Sequence, residues 1–571
     1  MRVAMRQQFM NDGVEHFDFH VARRIECQKL SQLILSGEYV PERAQRILVE
    51  KSKGLCRQLV IPSAKDALVL QCLSDAFYAE IQSRAPTDRA FFEPKEHRFS
   101  SQRNQYGTFA SWLNFQRELF NFSRTRDYIV VTDIANYYHS ISYVHLRNVI
   151  SGILGAEESV LDMLIYVLSS LLWQPDYMPR IEIGLPQINL DAPRLLAHCF
   201  LYELDTYLAS DTSRDFVRYM DDIDVGVDSI AEAKDVLKSI DLVLQTKQVR
   251  LNSGKTIILS RADAIRHFRI IENSRLNLLQ DRIKRKIQAN SHLGRERRVI
   301  ELRIRRGLAS RVFDDGNGDK ILKRMINLAS VVRARIAPRD LRRIFLLRPT
   351  VRENVCAYIR GSELTPARSR VLAEAAESRL LVDDAAMVDL VNHLVETTVT
   401  TTSQIEPNLA RITETLDTTS IFGLYCKLWL QSKYDSPAAL LATITSTRDL
   451  WVAHDRLGRI IGGFQPIFVN ATEEASYIQI LSESRNAGIR DAYKFHLRLA
   501  SEQQVFNSMF DALQNPNPSR GTGITHAKFL CLLSALRNES VTATRRAKLK
   551  TNNHAAWRDI YYRRMARRLR V

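Results

Sequence analysis

The chain has 571 residues, of which 45% are hydrophobic, and a formal net charge of +17 at pH 7. That length allows more than one domain and ample apolar core, and a positive surplus of this size points to a polyanionic partner. Seven scattered cysteines without a CxxC pair signal neither a zinc site nor a disulfide framework, and no apolar run reaches the roughly 18 residues of a membrane span. The segment from Met1 to Phe17 lacks the apolar core of a signal peptide, so a reducing cytoplasm is the expected compartment.

Residues 1–50 read as a mixed-charge helical extension, with Leu30, Leu33, Ile34, Ile47 and Leu48 packed on the domain that follows. Lys51 to Pro62 is a basic glycine turn feeding a strand, with Lys53 in the turn and Arg57 at the strand's start. Arg84 to Tyr106 interleaves basic and aromatic residues, including Arg89, Phe91, Phe92, His97, Arg98 and Phe99. Such a stretch can contact phosphates and stack bases, or pack as an ordinary loop. At Val130 to Ile141 an apolar run ends in Asp133 and continues into Tyr137 and Tyr138. Helices are expected near 144–153, 159–173 and 192–208, with the turn Gly184-Leu185-Pro186-Gln187-Ile188-Asn189 before the last.

The stretch from Phe216 to Val227 has β-prone residues on both sides of Tyr219-Met220-Asp221-Asp222. It reads as strand, tight turn, strand, with two adjacent carboxylates at the tip. Adjacent carboxylates repel and resist shared burial, a penalty that a divalent cation removes. Ala231 to Gln245 is an amphipathic helix. A P-loop reading of Gly254-Lys255-Thr256 fails, because Val249 and Arg250 stand where its first glycine is needed.

The order and spacing of these segments resemble the reverse transcriptases. Asp133 lies in a match to their motif A, Tyr219 to Asp222 to motif C, Leu185-Pro186-Gln187 to motif B and Val249 to Thr256 to motif D. The resemblance covers roughly residues 50–272. It implies fingers and a ferredoxin-like palm of α+β class over residues 51–280. It also implies that Asp133, Asp221 and Asp222 hold two Mg²⁺ ions, with Mn²⁺ as the alternative, and that Lys255 is a general acid toward pyrophosphate. Arg57 and Lys53 would hold the incoming triphosphate. Tyr138 would act as a steric gate favouring deoxynucleotides, and Gln187 would lie near the incoming nucleotide. Two departures concern motif B: Ile188 replaces a glycine that lets backbone approach the nucleotide, and Ala192 replaces a small hydroxyl residue. His267-Phe268-Arg269-Ile270 is a weak match to a primer-grip hairpin.

From about 280 the chain turns basic and helical, with Arg282, Lys284, Arg285, Lys286, Arg295, Arg297, Arg298, Arg303, Arg305 and Arg306. Residues 281–396 read as a thumb-like region gripping a nucleic-acid backbone, or as a solvated basic face. The Thr-rich stretch Thr397 to Ser403 marks an internal boundary. Beyond it, residues 397–571 read as an all-α, HEAT-like domain with a basic tail. The pattern Arg448-Asp449-x4-His454 recurs as Arg490-Asp491-x4-His496, which suits a helical repeat. It also touches the Arg-x5-His pattern of HEPN ribonucleases, with the repeat reading preferred. The basic end, Arg545 to Val571, interleaves Trp557, Tyr561 and Tyr562 and suits nucleic-acid binding.

Within the family, the nearest resemblance is to bacterial reverse transcriptases of the abortive-infection, antiphage kind, which pair fingers and palm with a long helical domain. The retron Val-Thr-Gly triplet and the maturase Ala before Asp-Asp are absent. The implied function is RNA-directed or otherwise non-standard DNA polymerisation in defence, with dNTPs as substrates and RNA or single-stranded DNA bound. The implied partners are further copies of the chain, a second defence polymerase or a non-coding RNA. Some relatives prime from a tyrosine, and Tyr561 or Tyr562 is a guess for that role. The alternatives are a conventional RNA-templated enzyme and a polymerase-fold RNA-binding scaffold, against which the intact carboxylate set argues.

Overall fold

The computed structural model describes residues 5–6, 8–91, 109–175, 177–179, 181–211, 214–402, 404–516 and 521–571. The aromatic–basic motif at Phe92 to Tyr106 therefore lies outside the described residues.

Two sheets organise the first half. Strands β1 (Gln45–Ser52) and β2 (Leu55–Ile61) form an antiparallel hairpin. Its turn, Lys53-Gly54, has positive φ at both residues (51° and 79°), the geometry that matches strand twist in tight hairpins. The larger sheet contains β3 (Tyr128–Asp133), β4 (Asp215–Tyr219), β5 (Asp222–Val227) and β6 (Ile257–Ser260), in the order β4-β5-β3-β6, all antiparallel. With helices between β3 and β4 and between β5 and β6, this is a ferredoxin-like strand order, the order expected of a palm and called the palm below.

Side-chain alternation gives the palm two faces. Val130, Phe216, Ile223, Val225 and Val227 pack on the helices Tyr143–Leu154, Glu158–Leu171, Asp191–Cys199 and Ile230–Gln245. Ile129 and Val217 face the other way, against Phe115, Leu119 and Phe122 of the helix Phe109–Phe122. Asp133 and Asp222 lie at the open end of that second face. The helix expected over 192–208 breaks at Phe200-Leu201 into Asp191–Cys199 and Tyr202–Ser210.

The second half is helical from Ile270 onward. Helices Gly318–Val331, Arg352–Arg360, Asp384–Val395, Ile421–Tyr434, Asp455–Gly463, Ala487–Ser501 and His526–Leu536 touch one after the next as one layer. Pro338–Leu347, Pro366–Ala376 and Glu406–Glu414 stack as a second layer. This two-layer succession has the character of an α-solenoid.

Three local expectations are corrected. The Arg-Asp-x4-His copies are not equivalent: His454 precedes the helix Asp455–Gly463, whereas Arg490 and His496 share the helix Ala487–Ser501. The boundary expected at 397 does not divide the core. Thr397 and Val399 are buried, Lys433 donates to the carbonyls of Val395 and Thr397, and Val399 N–H donates to Asp559 at 2.9 Å. His267 to Ile270 is a junction between the helices Arg261–His267 and Ile270–Gln288, turned by Arg269 at φ 52°, and forms no hairpin.

The N-terminal extension does more than pack on the next domain. Met5 and Leu30 join the palm core, while Met10, Val14 and Phe17 join the helical core. Arg459 donates to both Asp12 and Asp18; burial works against its charge, and the two carboxylates more than offset that and raise it well above the ordinary arginine value. A Cβ on Gly463 would meet the backbone of Gly13 at 2.8 Å, so this seam needs backbone-to-backbone approach. Gly463→Ala is therefore expected to cost about 1–3 kcal/mol, read as a lower denaturant midpoint with an unchanged slope.

Candidate active site

The site begins with the turn between β4 and β5. Tyr219 pairs with Asp222 across the ladder, leaving Met220-Asp221 as the two-residue tip, with Met220 at φ 57°. A non-glycine residue holds that conformation only when its surroundings enforce it. The enforcing group is Arg218, whose side chain is fully buried. Its Nε donates to Asp205 Oδ1 at 2.6 Å, Nη2 donates to Asp205 Oδ2, and Nη1 donates to the Met220 carbonyl at 2.9 Å. One guanidinium thus ties the tip to the helix Tyr202–Ser210.

Antiparallel register brings Asp133 opposite Asp222. Asp133 is buried, and its Oδ1 finds no hydrogen-bond partner among the described residues. Its Oδ2 accepts from Lys255 Nζ. Lys255 arrives on a turn fastened to the end of β3: Asn252 N–H donates to the Asp133 carbonyl at 2.8 Å, and Ala135 N–H donates to the Arg250 carbonyl at 2.8 Å. Burial, with the like charges of Asp222 and Asp133, pushes Asp221 up to about 6. Desolvation also raises Asp222, and Lys320 on the helix Gly318–Val331 opposes that rise. Asp224, two residues on and buried, is raised well above the carboxylate range by burial, with Asp222 adding to it.

Hard carboxylate oxygens crowded until they resist ionisation are a donor set suited to Mg²⁺ or Mn²⁺. The orphaned Asp133 Oδ1 and the ammonium on Oδ2 both mark a place where positive charge is wanted. Among the described residues no three His, Cys, Asp or Glu side chains converge closely enough to chelate one ion as they stand. The fit is therefore of charge and chemistry, with Lys255 standing where a cation would compete.

The remaining expected residues divide. Tyr138 is half-buried and burial raises it; it feels Asp221, Arg57, Arg194 and Tyr219, which places it between the carboxylates and the β1–β2 hairpin. Gln187 lies in a loop tied to the same neighbourhood. Its carbonyl accepts from Val60 N–H at 3.0 Å, its side chain lies 3.4 Å from the His139 ring, and Leu185 N–H donates to the Tyr138 carbonyl at 2.7 Å. Ile188 and Ala192 point into the palm core, so the branched residue fills what glycine would leave open. Arg57 couples to Tyr138 and Lys51. Lys53 stays exposed at the turn tip. Lys51 takes the place expected of it: partial desolvation lowers it, Lys255 and Arg57 press the same way, and Asp133 and Asp221 oppose. Sequence reading missed Lys51, Arg194 and Lys320. Lys51 stands two residues before Lys53, at the irregularity in register between Glu50 and Ser52, which no sequence pattern announced.

The second candidate sites are structural. His496 is fully buried, 2.9 Å from Ser534 Oγ, and burial pushes it down to about 3, while Arg490 is exposed. Tyr562 is stacked 3.7 Å from Phe529 and is fully buried, and Tyr561 is buried and donates to Glu406. Neither tyrosine presents a free hydroxyl as a primer.

No family model matches the chain. It is 25% identical over 206 residues to Protein YkfC of Escherichia coli (strain K12), a match covering 34% of this chain and 49% of that protein. The match thus spans about half the length of that curated relative. Among solved structures, the telomerase of Candida albicans with a fragment of telomeric RNA overlays with a TM-score of 0.31 at 9% identity, over 69% of this chain and 64% of that one. At that score the fold rests on the strand order alone.

Two outcomes follow from this geometry. Asp205→Asn leaves the Arg218 guanidinium buried without its negative partner and sets an amide NH2 against one of its donors, and should cost about 3–5 kcal/mol in chemical denaturation. His496 stays neutral in the fold but binds a proton when unfolded below about pH 6.5. Its contribution is present above that pH and is lost as pH falls toward 3. His496→Gln should therefore flatten the acid slope by up to about 1.4 kcal/mol per pH unit, measured as unfolding free energy between pH 4 and 7.

Proposed function

We propose that this chain is a metal-dependent DNA polymerase of reverse transcriptase type that extends a 3′ end with deoxynucleotides. The observation that carries the reading is the gathering, at one end of an antiparallel palm, of Asp133, Asp221 and Asp222 beneath Lys51 and Arg57. A scaffold has no use for carboxylates so crowded that one is pushed up to about 6.

Asp133, Asp221 and Asp222 would hold Mg²⁺ or Mn²⁺, which when bound lowers the pKa of the attacking hydroxyl and offsets charge on the phosphates. Arg57 and Lys51 supply positive charge over the triphosphate, Arg through its planar fork and Lys as a compact charge. Tyr138, half-buried beside Asp221, crowds the sugar position and disfavours a 2′-hydroxyl. Lys255 moves from Asp133 to the leaving pyrophosphate and protonates it. The basic helices 270–309 offer cations to a nucleic-acid backbone.

Antiphage defence is the finer part of the proposal, supported by the coupling of a palm to a long helical solenoid. Non-standard templating rests on the departure of this loop from motif B, with Ile188 and Ala192 both committed to the core. The test incubates purified protein with Mg²⁺ and labelled dNTPs, first alone and then with an RNA template and primer. Incorporation should vanish in Asp221→Ala/Asp222→Ala and fall about 10²-fold in Lys255→Ala. Product that stays with protein until proteolysis would mean protein priming, and product only with added RNA would mean conventional reverse transcription. No metal-dependent incorporation under any condition would overturn the polymerase reading in favour of an RNA-binding scaffold.

A further inference from the structure

The β1–β2 hairpin that carries Lys51 and Arg57 has only two strands, so the outer edge of β1 needs partners from elsewhere. They come from the helical region, more than 300 positions further along the chain. Asp383, the residue capping the helix Asp384–Val395, accepts from Glu50 N–H through Oδ2 at 3.1 Å. Asp384 takes the backbone hydrogen bond of Leu48, two residues earlier on the same edge. Two carboxylates therefore complete the edge that a third strand would have covered.

Arg352 locks this junction. It is buried, its Nη1 donates to Asp383 Oδ1 at 2.7 Å, its Nη2 to Glu50 Oε2 at 2.6 Å and its Nε to the Phe345 carbonyl at 2.9 Å. Glu50 uses its other oxygen, Oε1, to accept from Gly54 N–H at 2.9 Å, across the hairpin turn. The chain of contacts runs from the helical layer through Arg352 to Glu50 and then to the turn. Lys51 is the next residue after Glu50, and it is the one that feels Asp133 and Asp221. Among the described residues, the tip is held only from within the hairpin, by Gly54 N–H on Glu50, and Lys53 and Leu55 there are exposed.

We propose that Arg352 is a positioning residue through which the helical region sets the placement of the fingers hairpin over the carboxylates, so that triphosphate binding depends on the C-terminal half of the chain. The catalytic consequence of this placement rests on the polymerase reading, and its mechanical consequence on the geometry alone. A guanidinium shared by two buried carboxylates and a carbonyl holds three elements in one plane. An ammonium or an apolar side chain at that position cannot make all three contacts. A hairpin freed from its edge partners keeps its own ladder but loses its fixed height over Asp133.

The test has two arms, each run on the full chain with Arg352→Lys, Arg352→Met and the milder Asp383→Asn. The first is amide hydrogen exchange over residues 45–61, which needs no turnover. All variants that fold should exchange faster there, by about tenfold, with the β3–β5 ladder unchanged. The second is steady-state incorporation, where KM for dNTP should rise about tenfold while kcat stays within about threefold, with Arg352→Lys milder than Arg352→Met. Unchanged exchange at 45–61 in Asp383→Asn and Arg352→Lys overturns the proposal, as does a fall in kcat with KM unmoved. A wild-type chain that incorporates no nucleotide counts against the polymerase reading alone, and the exchange arm then decides whether Arg352 holds the hairpin.

Discussion

The buried pairing of Arg218 with Asp205 is the constraint on which the rest of the site depends. An arginine with no solvent contact carries a large desolvation cost unless its donors are matched, and here Asp205 takes two of them and the Met220 carbonyl a third. Met220 can then sit at positive φ, and Asp221 and Asp222 stand side by side at the palm edge instead of relaxing apart. The electrostatic strain at the carboxylates is thus held by packing beneath the turn. Strain held in this way is typical of sites that receive a charged ligand.

The second constraint is closure of the chain on itself. The N-terminal segment is seated on the helix Asp455–Gly463 by Arg459 and by the Gly13–Gly463 approach. Arg456 donates to the Ile61 carbonyl at 2.7 Å, reaching the end of β2 from that same helix. Together with Arg352 on the other side of the hairpin, these contacts bind the fingers to the solenoid at both ends of the strand pair. The buried hydrophobic cluster accordingly runs from Met10 through Ile47 and Ile61 to Leu569 without a break at 397. The palm, in contrast, keeps its own core. Any motion of fingers relative to palm would therefore carry the helical region with it.

Much of the palm was legible because its signals are local. Alternating β-branched residues around Tyr219 to Asp222 specify two strands and a two-residue turn. A carboxylate at the end of an apolar run, as at Asp133, has few structural uses. The amphipathic pattern of Ile230–Gln245 and the apolar run of Glu158–Leu171 are equally short-range. The misreadings arose where a pattern was matched without its context. The Arg-Asp-x4-His spacing repeats in the chain, yet one copy straddles a helix start and the other lies within a helix, because five intervening residues do not specify a helix boundary. Tyr561 or Tyr562 was a guess for a primer, resting on their place in a basic segment, but burial is a property of what lies across from them, and Phe529, Lys433 and Glu406 are far away in sequence.

The amino-acid order by itself determined the strand, turn and strand from Phe216 to Val227, the placing of Asp133 at the end of an apolar run and the helical character of the chain from about 280, since these follow from periodicity and neighbour chemistry within a few residues; the ferredoxin-like succession and the grouping of the three carboxylates were implied by the resemblance to reverse transcriptases. Only the tertiary structure decided that Lys51, not Lys53, faces Asp133 and Asp221. Likewise, only the fold revealed that Asp205 neutralises Arg218, and that Asp383, Asp384 and Arg352 complete the edge of β1. Each of those facts depends on two segments meeting across tens to hundreds of residues, where hydrogen-bond geometry and desolvation choose the partner and no local pattern announces it.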